Sequence, residues 1–338
     1  MALCRVAIAG FGAVGRATAG LLLDRRARYR DVHGVEVRLV AVCASRAGRV
    51  DPAGLEAERF GDLEPGLSGP DVIEASGADV LIEAGPSDHR MGGPGLAYLE
   101  RALSGGRDAI VISKGALVRD GARLRGFARR SGATIKVSGA AGAALPTIDL
   151  LDHNLLGCEV LGVEGVLNAT TNYLLDAMMA RGVGFGAALR EAQAGGFAES
   201  DPRDDVEGWD TARKLVILAG FGLGAELAIG DLEVRGIQTV TEEQIAGWRD
   251  GGLVPKLVGR LWRDEAGAFR GGVGVEAYPL TDPLARLPGK TKAIRVKTDG
   301  MGEIVAIGCG AEPLATASAA LKDFEHILAS RAGRPRLV

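Results

Sequence analysis

The chain has 338 residues, 47% of them hydrophobic and 25% charged, a balance typical of a soluble globular protein with room for two domains. The formal net charge of −3 comes from interspersed acids and bases, so neither nucleic acid nor an anionic membrane surface is an expected partner. No apolar run reaches the roughly 18 residues of a membrane span, and the N-terminus lacks the pattern of a signal peptide.

The first predicted strand, residues 4–9, runs into a glycine-rich turn that opens a helical pattern over residues 13–23. The turn consists of Gly10, Phe11, Gly12, Ala13, Val14 and Gly15. Its glycines allow a tight turn and close backbone approach to a pyrophosphate, and the helix N-terminus offers free N–H groups. We therefore predict dinucleotide binding, the alternative being a glycine turn without a ligand.

The second predicted strand, residues 35–42, ends without the acidic residue that would bind a ribose 2′-hydroxyl. Arg46 follows the strand, with Arg49 nearby. A guanidinium suits a 2′-phosphate, so the sequence favours NADP, with NAD as the alternative and a solvated Arg46 as the simpler interpretation.

Strands and helices continue to alternate along the chain. Further strands are predicted at residues 80–83 and 109–112, and helices at 95–103 and 121–130. This alternation predicts an α/β fold with a Rossmann-type, doubly wound parallel sheet.

The sequence changes character near Ser138, because residues 138–145 are almost entirely glycine and alanine and must pass close to another group. Beyond this segment, strands are predicted at residues 160–167, 271–277, 293–297 and 303–307. Helices are predicted at residues 172–180, 186–194, 209–219 and 314–328. We predict a second α/β domain from these elements.

Residues 196–214 hold a dense group of acids that ends in a lysine. The acids are Glu199, Asp201, Asp204, Asp205, Glu207 and Asp210. A solvated acidic face is the simpler interpretation, but Asp210 and Lys214 are four residues apart and share a helix face. Such acids can hold the ammonium group of a small zwitterion, while the lysine serves a carboxylate or a reacting oxygen.

The cysteines and histidines predict no metal centre. The four cysteines are Cys4, Cys43, Cys158 and Cys309, and the four histidines are His33, His89, His153 and His326. None has metal-ligand or redox-motif spacing with another, so we expect reduced thiols, a cytoplasmic location and no catalytic metal.

Several segments together resemble the homoserine dehydrogenases, in particular their compact form without a regulatory domain. They are the glycine-rich turn and residues 113–115, 141–146, 165–173, 196–214 and 308–311. The resemblance implies an NAD(P)-dependent oxidoreductase that interconverts L-aspartate 4-semialdehyde and L-homoserine in threonine and methionine biosynthesis. It also implies a homodimer, a dinucleotide-binding domain of residues 1–137 plus about 305–338, and a catalytic and dimerisation domain of about 138–304.

The resemblance assigns roles to individual residues. Lys214 matches the proton donor, with Lys114 as the alternative, and Ser113 and Lys114 adjoin the cofactor. Glu199 matches the residue that binds the substrate amino group. The other residues implied in the substrate pocket are Asp204, Asp210, Thr170 and Phe197.

Five positions depart from the family pattern. Ser138 stands where many relatives have a glutamate that helps to hold a monovalent cation. A sodium site here would use the backbone carbonyls of Ala141, Ala143 and Leu145. The other departures are Ser113 for asparagine, Ala169 for glycine, Phe197 for tyrosine and Cys309 for proline.

These departures leave two other functions open. The changes at Ser138, Ala169 and Phe197 could indicate a reductase of a related small amino aldehyde. The lost glutamate could indicate a non-catalytic dinucleotide-binding protein, although such a protein needs neither Lys114 nor Lys214.

Overall fold

The computed structural model describes residues 1–331. The chain divides into two compact units, Met1–Ala144 with the chain from Gly310 onward, and Leu145–Cys309. The chain therefore leaves the first unit and later returns to it. No helix within residues 1–331 has both the length and the apolar character needed to cross a membrane.

The first unit contains one seven-stranded sheet. Its strands are β1 (Ala2–Ala9), β2 (Val35–Cys43), β3 (Ala47–Val50), β4 (Glu64–Pro65), β5 (Val80–Glu83), β6 (Asp108–Val111) and β7 (Ile135–Lys136). Their order is β4-β3-β2-β1-β5-β6-β7. The five strands from β2 to β7 pair in parallel, which confirms the predicted parallel sheet, while β3 and β4 extend it in antiparallel pairing.

Helices connect the strands of this unit. They are α1 (Ala13–Asp24), α2 (Arg26–His33), α3 (Asp71–Ser76), α4 (Gly93–Ser104), α5 (Gly115–Ser131) and α6 (Ser138–Ala141), and a 3-10 helix spans Ala57–Gly61. The sequence did not predict α2, because Tyr29 is its one buried residue and no apolar stripe marks it.

The second unit contains a six-stranded sheet and six helices. The helices are α7 (Thr147–Asp149), α8 (Ala169–Arg181), α9 (Phe185–Ala194), α10 (Arg203–Val206), α11 (Trp209–Ile217) and α12 (Glu242–Asp250). The strands are β8 (Val160–Val166), β9 (Glu233–Val234), β10 (Leu253–Arg263), β11 (Phe269–Pro279), β12 (Lys292–Thr298) and β13 (Glu303–Gly308). Shorter 3-10 or π-helical segments are Leu150–Asn154, Leu218–Gly222, Ile229–Asp231 and Pro283–Arg286.

The order of this second sheet is β13-β12-β8-β10-β11-β9, and its pairing is antiparallel except between β11 and β9. One face packs on helices, where a side chain at Gly259 of β10 would overlap Thr211 and Leu215 of α11. Long antiparallel strands covered on one face by helices are an α+β arrangement. The predicted second domain of helices and strands is therefore present, with a mostly antiparallel sheet.

The central strand β10 was not predicted, because a buried lysine interrupts its apolar pattern. Lys256 is fully buried, and its ammonium donates to Asn172 Oδ1 (2.6 Å), Asp176 Oδ1 (2.8 Å) and the Leu287 carbonyl (3.0 Å). Burial lowers the pKa of Lys256, whereas Asp176 raises it. Because α8 carries Asn172 and Asp176, these hydrogen bonds connect the segment around Leu287 to α8. The N-terminus of α8 lies at the candidate active site described below.

The last helix, α13 (Leu314–Arg331), belongs to the first unit and packs against α1. Phe324 lies edge-on to Tyr29, with ring centroids 5.4 Å apart, and both residues are fully buried. The core of the Rossmann-type sheet is thus completed by a segment more than 280 residues away from its first helix in the chain.

Candidate active site

The glycine-rich turn joins β1 to α1 and requires glycine at two positions for different reasons. Gly10 has φ +95°, and a side chain there would overlap the backbone of Ala84 and Gly85. A side chain at Gly15 would overlap the Gly10 carbonyl. The strand, the turn and the helix are therefore packed backbone against backbone.

Gly12 is different, because a Cβ atom there would meet no atom within 4 Å. It precedes the first turn of α1, which has no side-chain cap and no acidic residue. The free N–H groups and the positive end of the helix dipole therefore face open space. This is the geometry that a pyrophosphate needs, so these residues fit a dinucleotide.

A cavity of about 250 Å³ lies beside the turn, at the carboxyl ends of β1, β2 and β5. Its lining includes Gly10, Ser45 and Tyr98. The Tyr98 hydroxyl accepts a hydrogen bond from the Gly69 N–H (2.6 Å) and donates to Cys43 Sγ (3.4 Å). Arg46, the predicted 2′-phosphate ligand, directly follows Ser45 and is exposed.

Glu83 is a residue of this cavity that the sequence analysis missed. Its carboxylate is buried at the end of β5 and accepts from the Ser113 hydroxyl (2.6 Å) and the Gly85 N–H (2.8 Å). Burial raises the pKa of Glu83, and these two hydrogen bonds partly offset the shift. A glutamate ending an otherwise apolar strand was the signal that could have identified it.

Ser113 and Lys114 follow β6. Ser113 is buried on Glu83, whereas Lys114 is half-buried and precedes the first residue of α5. The Lys114 N–H donates to Ser87 Oγ (2.9 Å). Both predicted residues thus lie at the carboxyl edge of the parallel sheet, as does the glycine-rich turn.

Lys214 is part of a charged cluster in the second unit. Its ammonium donates to Asp210 Oδ2 (2.6 Å) and to the Leu167 carbonyl (2.7 Å). Asn168 Nδ2 donates to the same Asp210 oxygen (2.9 Å) and to Asp205 Oδ1 (2.6 Å). The Lys214 and Asp210 side chains are each only 14% exposed, so their attraction is weakly screened.

The sequence placed Asp205 in the acidic cluster and Asn168 in a matching segment, but it assigned neither of them a role in the site. Asn168 is the N-cap of α8, and its Oδ1 accepts from the Thr171 N–H (2.9 Å). Its amide is thereby oriented toward the acids. Thr170 lies in the same first turn and is partly exposed.

The remaining acids point outward. Asp204 is 60% exposed and pairs with Arg213 at 2.7 Å, rather than with Lys214. Glu199 is exposed, and its backbone carbonyl accepts from Gln193 Nε2 (2.9 Å). Glu199, Asp204 and Arg213 line an open polar cavity of about 540 Å³.

Phe197 is 42% exposed and stacks on Tyr173 of α8, with ring centroids 4.7 Å apart. The Lys290 ammonium lies 4.8 Å from the centroid of the Phe197 ring. Phe197 therefore presents an aromatic face beside a cation.

The predicted sodium ligands lie along the glycine and alanine segment. Ala141 and Ala143 belong to the first unit, and Leu145 begins the second. Ala143 has φ +52°, a strained value for a residue other than glycine. The Leu145 carbonyl accepts from the Thr147 N–H (2.8 Å).

A Rossmann-type sheet with an open phosphate cradle, and a separate unit with a lysine held by a carboxylate, define a nicotinamide-dependent oxidoreductase. Comparison with known proteins gives the family. The family model for homoserine dehydrogenase matches residues 146–324, and the model for the NAD-binding domain of homoserine dehydrogenase matches residues 10–138. The chain belongs to the homoserine dehydrogenase family, as its sequence motifs predict.

Individual relatives support this assignment over nearly the whole chain. Homoserine dehydrogenase of Methanocaldococcus jannaschii is 34% identical over 95% of this chain and 98% of its own length. The NAD(+)-dependent homoserine dehydrogenase of Pseudomonas canavaninivorans is 32% identical over 96% of each chain. A crystal structure from Archaeoglobus fulgidus, provisionally named a homoserine dehydrogenase, has a TM-score of 0.87 at 33% identity over 96% of this chain and 99% of its own.

Proposed function

We propose that the chain transfers a hydride between a nicotinamide cofactor and L-aspartate 4-semialdehyde, with L-homoserine as the product. The observation that carries the proposal is the Lys214 ammonium, held by Asp210 and the Leu167 carbonyl beside the N-terminus of α8. An ammonium held in place stabilises the negative charge that develops on an aldehyde oxygen during reduction.

Lys214 also suits the role of proton donor. An ammonium group has three N–H donors, and Asp210 and Leu167 accept two of them. Within residues 1–331 these two are the acceptors of the ammonium, so its third N–H remains available for the substrate oxygen. Lys114 is the alternative donor, because the carboxyl edge of the parallel sheet is where the nicotinamide cofactor binds.

The acids provide the substrate specificity in this proposal. Glu199 takes the substrate ammonium group, and Asp204 adds negative charge to the same open cavity. The family resemblance adds Thr170 and Phe197, which do not line that cavity, and Asp210 orients Lys214. The exposed side chain of Glu199 is accessible to a ligand without rearrangement.

NADP is the proposed cofactor, with NAD as the alternative. Arg46 is exposed next to the cavity residue Ser45, and no acid directly follows β2 to bind a 2′-hydroxyl. A guanidinium at this place attracts a 2′-phosphate. A monovalent cation is not part of the proposed mechanism.

The deciding experiment follows homoserine oxidation by the absorbance of the reduced cofactor, with NAD⁺ and NADP⁺ side by side. We expect turnover with at least one cofactor, and a lower KM for NADP⁺ that Arg46→Ala raises roughly tenfold without raising the KM for NAD⁺. No oxidation with either cofactor would refute the function. Turnover only of another amino aldehyde would favour the related-reductase alternative.

We also propose a cytoplasmic homodimer. The sheet of the second unit has a partly exposed face on which Trp262 (44% exposed) and Ile307 (54% exposed) lie. Gly272 and Gly274 of β11 lie on the same face and have no side chains, which favours close packing against a second copy. The four free thiols agree with a reducing compartment.

A further inference from the structure

Ser138 marks the position where the resemblance implies a cation-binding carboxylate, and a different arrangement occupies it. Ser138 is buried at the start of α6. Its N–H donates to Asp323 Oδ2 (2.9 Å), and its hydroxyl donates to Asp323 Oδ1 (2.7 Å). Asp323, on α13, is fully buried, so its charge requires compensation by a cation or by hydrogen bonds.

Lys322 supplies a cation from the chain itself. Its ammonium lies 2.9 Å from Ser138 Oγ and 3.6 Å from Asp323 Oδ1. The Lys322 side chain is only 35% exposed, and its ammonium contacts the buried Ser138. The Lys322 side chain thus places a positive charge next to the buried Asp323 carboxylate.

These residues do not fit a monovalent metal ion. Hard cations prefer carboxylate and carbonyl ligands, and Ser138 supplies no anionic oxygen of its own. The Asp323 carboxylate beside it already accepts from the Ser138 N–H and hydroxyl and lies next to the Lys322 ammonium. The Lys322 ammonium also repels any second cation near Ser138 Oγ. A site that relied on backbone carbonyls alone would therefore bind a metal ion weakly.

We propose that the Lys322 ammonium replaces a monovalent metal cation in this chain and makes its fold and activity independent of Na⁺ and K⁺. The position of Ser138 also affects the glycine and alanine segment, because the Ser138 carbonyl accepts from the N–H groups of Gly142 and Ala143 (3.1 Å each). Lys322 therefore acts as a positioning residue, through Ser138 and Asp323, on the turn that contains the strained Ala143.

The primary test is thermal unfolding of the full-length protein without substrate or cofactor. It is carried out in NaCl, KCl and tetramethylammonium chloride at equal ionic strength. We expect the same Tm in all three salts. A Tm higher by about 2 °C or more in NaCl or KCl would overturn the proposal, because it would reveal a bound metal cation.

Variants of Lys322 test the replacement directly. Lys322→Gln should lower the Tm, because Asp323 loses its cation, whereas Lys322→Arg should retain most of it. Arg129→Gln, which removes an exposed positive charge near the end of α5, is the control and should leave the Tm unchanged. Equal Tm values for Lys322→Gln and the wild type would show that the ammonium has no such role.

A gain of cation dependence provides the converse test. Ser138→Glu combined with Lys322→Ala restores the carboxylate and removes the ammonium, so NaCl or KCl should raise the Tm of the double variant by about 2 °C or more. If this variant does not fold, the wild type and the Lys322 single variants still decide the question.

Activity is a second readout, and this part of the inference rests on the proposed function. The kcat of the wild type should agree across the three salts, and a stimulation of about fivefold or more by Na⁺ or K⁺ would contradict the proposal. Because the melting experiments need no substrate, they would remain valid if the enzyme proved not to oxidise homoserine.

Discussion

The Lys214 side chain is largely buried, and Asp210 and the Leu167 carbonyl accept its hydrogen bonds. Asp210 is in turn shared with Asn168, which caps α8. The ammonium is therefore held by its own helix, α11, and by the residue before the N-cap of α8, and the direction of its remaining donor is set before substrate binds.

Substituting Lys214 tests this role. Lys214→Ala should lower kcat for homoserine oxidation by about 100- to 10,000-fold, since it removes the proton donor. Cofactor affinity, measured by fluorescence titration, should remain within about twofold because the cradle lies in the other unit. Arg129→Ala, an exposed substitution near the end of α5, is the control, and near-normal turnover of Lys214→Ala would transfer the role to Lys114.

Glu83 provides a prediction for pH dependence. Burial raises the pKa of Glu83 in the folded protein above that of an exposed glutamate, so its ionisation opposes folding. Wild-type stability therefore declines, relative to a neutral side chain, as the pH rises from about 4.5 through the folded-state pKa.

The variant Glu83→Gln removes this titration. The difference in Tm between the variant and the wild type should become more positive as the pH rises through that interval, and should then level off. Melting curves between about pH 4.5 and 8 measure it. A difference that stays constant across the range would mean that Glu83 titrates as in the unfolded chain.

At the scale of elements, the turn between β1 and α1 separates structural from ligand-binding glycines. The site of Gly15 has no room for a side chain because the Gly10 carbonyl fills it, whereas the site of Gly12 is open. The same glycine pattern thus serves packing at one position and ligand approach at the other.

Alanine at each position should therefore have a different effect. Gly15→Ala should lower the free energy of unfolding by about 1–3 kcal/mol, because the helix must move away from the strand. Gly12→Ala should leave stability nearly unchanged but weaken cofactor binding at least about tenfold. Urea unfolding and cofactor titration measure the two effects, and equal behaviour of the two variants would contradict the assignment.

For the whole molecule, the proposed dimer depends on one face of the sheet in the second unit. The partly exposed sheet face carries Trp262 and Ile307 on strands at different positions in the sheet. A charge in the centre of an apolar interface is costly, so Trp262→Glu should shift the protein from dimer to monomer.

Light scattering coupled to size-exclusion chromatography measures this shift. Met301→Glu, an exposed substitution in the turn between β12 and β13, is a control that should leave the mass unchanged. A wild-type protein that elutes as a monomer at micromolar concentration would refute the proposed dimer.

The sequence by itself determined the parallel sheet, the glycine-rich turn and the family. These features depend on local patterns: apolar runs, glycines at positions that exclude side chains, and a helix face shared by Asp210 and Lys214. Such patterns can be recognised because the residues that act together are close in the chain.

Only the tertiary structure revealed the groups that neutralise buried charge. Lys256 meets Asp176 across 80 residues, Ser113 meets Glu83 across 30, and Ser138 meets Asp323 across 185. A buried charge is stable only beside a partner, and nothing in the local sequence specifies which distant residue the fold brings there. For the same reason the sequence indicated the missing glutamate at Ser138, whereas the structure identified Lys322 as the cation next to it.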